Sequence, residues 1–158
     1  MLNSIILAVS FWIHFIGVAI WVGASFLMPL VILPAISTLE PPSRLKPMAA
    51  ISAKLLPWII ASIILVFLSG IVQTVMIFGA SPSRTLIIKI IVAVLMMANG
   101  FYLGVVLTKR VGTLAPAPGA PPSPEFLKAQ RRLVMHGWIQ AGMAVVILLI
   151  VGLLRVGL

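Results

Sequence analysis

A histidine in the middle of an uncharged run is the first place in this chain where chemistry could happen. His14 lies within ILAVSFWIHFIGVAIWVGASFLMPLVILP, a stretch with no Asp, Glu, Lys or Arg. An imidazole that deep in an apolar segment has no water around it and costs free energy unless something binds it. Lys89, inside LIIKIIVAVL, raises the same question for an ammonium group. A third candidate, His136, stands four residues after Arg132. An imidazole can ligate a metal or haem iron through one nitrogen, and a lysine can face an acidic ligand such as a haem propionate or a quinone oxygen. The plainer alternatives are a neutral His14 donating to a carbonyl on the next helix, and snorkelling of Lys89 to the membrane interface.

The polar residues around these groups recur at helical spacing. Ser10, His14, Gly17, Trp21 and Ser25 follow steps of three and four and share one side of a helix. Trp58, Ser62, Ser69 and Gln73 do the same further on, as do Lys89, Met96 and Asn99, with Tyr102 near that face. His136, Gln140 and Met143 form the last such stripe. Hydrocarbon cannot satisfy these groups, so each stripe is expected to turn inward. For the serines, bonding across helices is the expected role, and Gly17, Gly70 and Gly100 read as sites of close packing.

Composition sets the elements that must hold these residues. The chain is 62% hydrophobic and 8% charged over 158 residues. Soluble domains are about a quarter charged, so the expected class is an all-α integral membrane protein. Four apolar stretches approach or exceed the roughly 20 residues needed to cross a bilayer. They run at about 3–36, 48–78, 83–108 and 124–156, within a single domain. Up-down-up-down order with short connections predicts an antiparallel four-helix transmembrane bundle. Pro29 and Pro34 are expected to bend or end the first helix, and Pro57 to kink the second. Ser83 and Ser123 read as N-caps, and 111–123 as a Pro/Ala-rich linker. The first apolar run is too long for a signal-peptide core and reads as a retained span.

Eleven basic residues against two acidic ones give a net charge of +9. The charges cluster at helix ends, as topology signals do, so no nucleic-acid partner is expected. Arg44, Lys46, Lys54, Lys109, Arg110, Lys128, Arg131 and Arg132 fall on one side, and Arg84, Lys89 and Arg155 on the other, eight against three. That asymmetry predicts cytoplasmic connections between spans one and two and between spans three and four, with both termini outside.

Several chemistries are excluded outright. The chain has no cysteine, which removes disulfides, thiolate metal sites and c-type haem attachment. There is no Ser-His-Asp set, HExxH or P-loop, so any enzymatic activity would need a bound cofactor. The eight methionines are dispersed without an MxM or MxxM pair and read mainly as packing residues, with copper(I) ligation the alternative. A rise of 1.5 Å per residue puts His136 roughly 10–15 Å below His14 along the membrane normal. Two axial ligands of one iron must lie about 4 Å apart. His14 therefore needs another partner, or His136 serves a second, inner site with Asn99, Tyr102 and Gln140.

The segment HFIGVAIWVG from His14 to Gly23, followed by the apolar run ending at Pro34, resembles the first helix of the copper-resistance protein D superfamily. The segment Leu86 to Leu95 resembles that superfamily's lysine-bearing helix. The layout is also distantly similar to the four-helix, haem-associated protoporphyrinogen oxidase family. Where that oxidase pattern has an arginine and a second histidine late in the first helix, this chain has Met28-Pro29-Leu30. The resemblance implies handling of b-type haem or copper, with His14 as axial ligand and Lys89 as a nearby polar contact.

Three functional expectations follow. The first is a small membrane protein that binds haem b and takes part in electron transfer. In it His14 holds iron, Lys89 and Gln73 face the propionates, and Trp21 packs on the porphyrin; Asn99 and Gln140 are further cofactor contacts, and His136 a second metal ligand. The second is an accessory subunit among other subunits of a respiratory or photosynthetic membrane complex. The third is copper import or tolerance. The expected location is the bacterial inner membrane, with lipid as the first partner.

Overall fold

The computed structural model describes residues 1–79, 81–117 and 119–157, with the side chains of Pro41 and Pro42 left aside. Regular structure among the described residues is helical. The long helices are α1 (Leu2–Ser37), α2 (Pro41–Phe78), α3 (Arg84–Thr113) and α4 (Pro124–Arg155), and each is long and apolar enough to cross a membrane.

The helices outrun the expected boundaries for local reasons. Glu40 is extended, with φ −62° and ψ 144°, and proline fills the first turn after it, so α2 begins at Pro41 rather than near Met48. The first connection shrinks to residues 38–40. Arg44, now on the helix, reaches back to the end of α1: its Nε donates to the Leu39 carbonyl at 2.6 Å and its Nη2 to the Ser37 carbonyl at 2.8 Å. Carbonyls at a helix C-terminus lack partners within the helix, and an arginine supplies them. Likewise α3 continues past Thr108 to Thr113, which shortens the linker to 114–123. Both expected caps form: Ser83 Oγ accepts from the Leu86 N–H at 3.2 Å, and Ser123 Oγ from the Phe126 N–H at 3.1 Å.

The prolines of the first span do not end it. Met28–Ile32 forms a wide π-helical turn, in which the Leu33 N–H bonds the Met28 carbonyl five residues back. A wide turn absorbs residues that lack an N–H and carry a bulky ring. Pro57 lies within α2 without interrupting it.

All four helices contribute to one apolar core: Trp21 and Val22 from α1, Val66 from α2, Met96 from α3 and Ala144 from α4. α1 packs along α2, α4 packs along α3, and α1 also meets α4. Residue numbers rise along α1 as they fall along α2. Ser10 lies beside Gln73, His14 beside Val66, and Gly17 beside Ser62.

One stripe residue faces the wrong way. Trp58 is 65% exposed, although helical spacing groups it with Ser62, Ser69 and Gln73. The buried or half-buried seam of α2 runs Gln73, Ser69, Val66, Ser62, Ile59 and Leu55, alternating steps of four and three. That is a 3.5-residue period, and it drifts away from the 3.6-residue face over several turns. By the level of Trp58 the seam has moved to Ile59, and the indole is left outside. Elsewhere the exterior is apolar, with Trp12, Phe15, Leu68 and Leu149 each at least 60% exposed. Such a surface is compatible with contact to lipid.

Candidate functional site

His14 projects from the first half of α1 against α2, one turn before Gly17. Its Nδ1 lies 3.0 Å from the Val66 carbonyl and 3.0 Å from Ser69 Oγ. A carbonyl can only accept, so Nδ1 carries the hydrogen. Ser69 points its own hydroxyl hydrogen back along α2 to the Leu65 carbonyl, which leaves its oxygen free to accept from the imidazole. In the neutral ring this fixes the tautomer, and the lone pair sits on Nε2. Every side-chain nitrogen or oxygen sealed within the described residues has a partner. Nε2 has no hydrogen-bond partner among them and is not fully sealed. Gly70 stands beside the ring, where a Cβ would come within 3.4 Å of Cε1.

The neighbouring polar groups brace this imidazole. Ser10 Oγ donates to the Ser69 carbonyl at 3.0 Å, and Gln73 Nε2 donates to the Ser10 carbonyl at 3.1 Å. Gln73 is thus engaged in joining α1 to α2, with its amide N–H directed at Ser10. Lys89 is half-buried on α3. Trp21 is 3% exposed and packs against Phe67, ring centroids 6.4 Å apart, so its indole belongs to the core.

His136, Asn99 and Gln140 form a separate cluster between α3 and α4. Asn99 Nδ2 donates to Gln140 Oε1 at 2.7 Å and to the His136 carbonyl at 3.2 Å. Its Oδ1 therefore accepts from His136 Nδ1 at 2.6 Å, which again leaves the lone pair on Nε2. Tyr102 meets the His136 ring edge-on at a centroid distance of 5.0 Å. His14 and His136 thus belong to two hydrogen-bond networks, one on each helix pair. Met96, the methionine on this stripe, is fully buried in the core.

Asn99 supplies all the hydrogen bonds described in the second cluster, so its variants should rank by donor chemistry. Asn99→Ala strands the His136 N–H and is expected to cost about 1–3 kcal/mol. Asn99→Asp should cost more, because it sets an oxygen against two oxygens that now receive N–H groups. Thermal unfolding of the solubilised protein measures both, and the reverse order would refute the donor assignment.

Sequence reading offered a carbonyl on the next helix as a plain partner for His14 but could not name Val66. That residue contributes a main-chain oxygen, and no residue type announces that. Among the described residues no three His, Asp or Glu side chains gather to hold a metal ion. That bears most on a metal held by protein ligands alone. Haem iron takes four nitrogens from the porphyrin and needs only one or two ligands from the protein.

Fold and site together define a four-helix protein with helices able to cross a membrane and, in the first of them, an imidazole held through one nitrogen with the other left unpartnered. Comparison with protein-family models, with curated proteins and with solved structures gives no match.

Proposed function

We propose that this chain is an antiparallel four-span protein of a bacterial inner membrane that binds haem b through His14 and serves as a small electron-transfer subunit. The observation that carries the reading is the held imidazole: Nδ1–H is fixed on the Val66 carbonyl and Nε2 is left open. Metal-ligating histidines typically donate their other ring N–H to a carbonyl or carboxylate, which orients the ring and raises its basicity. The donor set fits a haem held by one protein ligand. Haem, when bound, supplies one-electron chemistry. The chain's part is to hold and orient the ligand nitrogen, keep bulk water away, and offer the Lys89 ammonium to an acidic group nearby. The resemblance to haem- and copper-handling membrane families points the same way.

The distribution of cations supports the orientation. Eight lie towards the ends joined by residues 38–40 and 114–123, and three towards the other end, so those connections belong in the cytoplasm and both termini outside.

An absorption spectrum tests the haem. Protein expressed with added haem and gently solubilised should show a Soret band that sharpens on dithionite reduction, with α and β bands. A featureless spectrum from stable protein would refute haem binding. It would favour a second reading, an accessory subunit of a larger complex, which draws support from the full pairing of sealed polar atoms among the described residues. Copper handling finds less support, since Met96 is spent in the core and the remaining methionines are dispersed.

A further inference from the structure

At the end of the bundle opposite His14, two adjoining clefts open beside the first three turns of α4. One, of about 440 Å³, is lined by Arg110, Pro124, Glu125, Lys128, Ala129 and Arg132. The other, of about 460 Å³, shares Pro124, Lys128 and Arg132 with it and adds Leu127, Arg131 and Met135. We infer that the pair forms a binding site for an anionic phospholipid, with its headgroup phosphate among Arg110, Lys128 and Arg132 and an acyl chain along Met135.

Three observations converge on that occupant. The first is charge. Lys128 and Arg132 lie four residues apart on one face of α4, and Arg110 comes from the end of α3 that packs against it, so cations from two helices meet in one cleft. Glu125 is the one acidic side chain in the lining, against three cations. The cleft keeps a positive excess, the complement of a phosphodiester.

The second is depth. After Arg132, α4 carries no formally charged residue until Arg155. In the membrane orientation proposed above, on which this inference rests, Arg132 lies at the headgroup boundary of the cytoplasmic leaflet. Basic pockets between spans on that side are where anionic headgroups bind.

The third observation separates a lipid from free phosphate. The second cleft continues past the cations, one turn deeper along α4, to Met135, which is 52% exposed. Inorganic phosphate gains nothing from that wall, whereas a lipid tail covers it. The haem plays no part in this argument.

Native mass spectrometry of the full chain, released from micelles doped with phosphatidylglycerol or phosphatidylcholine, tests it. Preferential retention of phosphatidylglycerol is expected, with affinity about 30-fold weaker in Arg110→Gln/Arg132→Gln, since each interfacial cation contributes roughly a further factor of five. Arg110→Lys/Arg132→Lys should retain most of the binding, and Arg155→Gln, at the far end, all of it. Equal retention of the two lipids would overturn the inference, as would loss in Arg155→Gln equal to that in the double variant. Full displacement by inorganic phosphate would also overturn it in favour of a free-anion site. Carbonate extraction of the membranes beforehand reads insertion separately, so failure of the membrane reading is distinguishable from failure of the lipid site.

Discussion

Gly17→Val is expected to destabilise the protein by about 3 kcal/mol, the upper end of what overpacking a close interface costs. A Cβ built on Gly17 would lie 2.8 Å from Val66 Cγ2 and 3.0 Å from the Ser62 carbonyl oxygen. The methyl group could rotate away, but the carbonyl belongs to the α2 backbone and cannot yield without moving the helix. Valine adds two further carbons at the same point. Gly17→Ala should fall between wild type and valine. Gly23→Ala supplies the control, because a Cβ there meets nothing within 4 Å. Alanine at that site should be neutral or stabilise by up to about 1 kcal/mol through helix propensity. Unfolding in mixed micelles, followed by circular dichroism, gives the order. If valine at 17 behaves like alanine at 23, the α1–α2 contact is not as close as described. The consequence reaches the site as well. Gly17 lies one turn from His14, and pushing α1 off α2 lengthens the contact from Nδ1 to the Val66 carbonyl.

The helices were legible in the sequence because hydrophobicity alone writes them, and so were the caps at Ser83 and Ser123, where a serine precedes an apolar run. The early start of α2 was not legible, since Pro41, Pro42 and Pro47 read as loop residues, whereas a proline in the first turn costs a helix nothing and Pro47 is carried inside the helix. The inward stripe of α1 held at every position, from Ser10 to Ser25, because its steps of four and three match either period over so short a distance. On α2 the same method failed at Trp58, since the two periods diverge over the longer seam. The grouping of Asn99, Tyr102 and Gln140 with His136 was readable from depth along the helices. A bond from His14 to a carbonyl of the next helix was readable as the plain alternative to a ligand, but neither Ser69 nor the particular carbonyl was. Helical spacing assigns a side chain to a face, but only the packed structure brings the Val66 main-chain oxygen to Nδ1.

That main-chain contact shapes the second large effect, the loss of the haem spectrum in His14→Ala. The variant removes Nε2 outright, so protein expressed with added haem should lack the Soret band of wild type. Stability should suffer little, because interhelical hydrogen bonds within membranes average about 0.6 kcal/mol. An imidazole that merely ties α1 to α2 would have no chromophore to lose, so the band is the readout that separates the two roles. His14→Gly separates the two roles further. Imidazole added to that variant should restore the band if the ring acts as a ligand, and should restore nothing if it acts as a strut. Ser69→Ala weakens the support while sparing the ligand. The Val66 carbonyl still holds Nδ1–H, so haem should bind about tenfold more weakly, within the range seen when a ligand's supporting partner is lost. If His14→Ala keeps the full band, the iron is held elsewhere. His136, whose Asn99 bond leaves it with the same open nitrogen, becomes the ligand to replace.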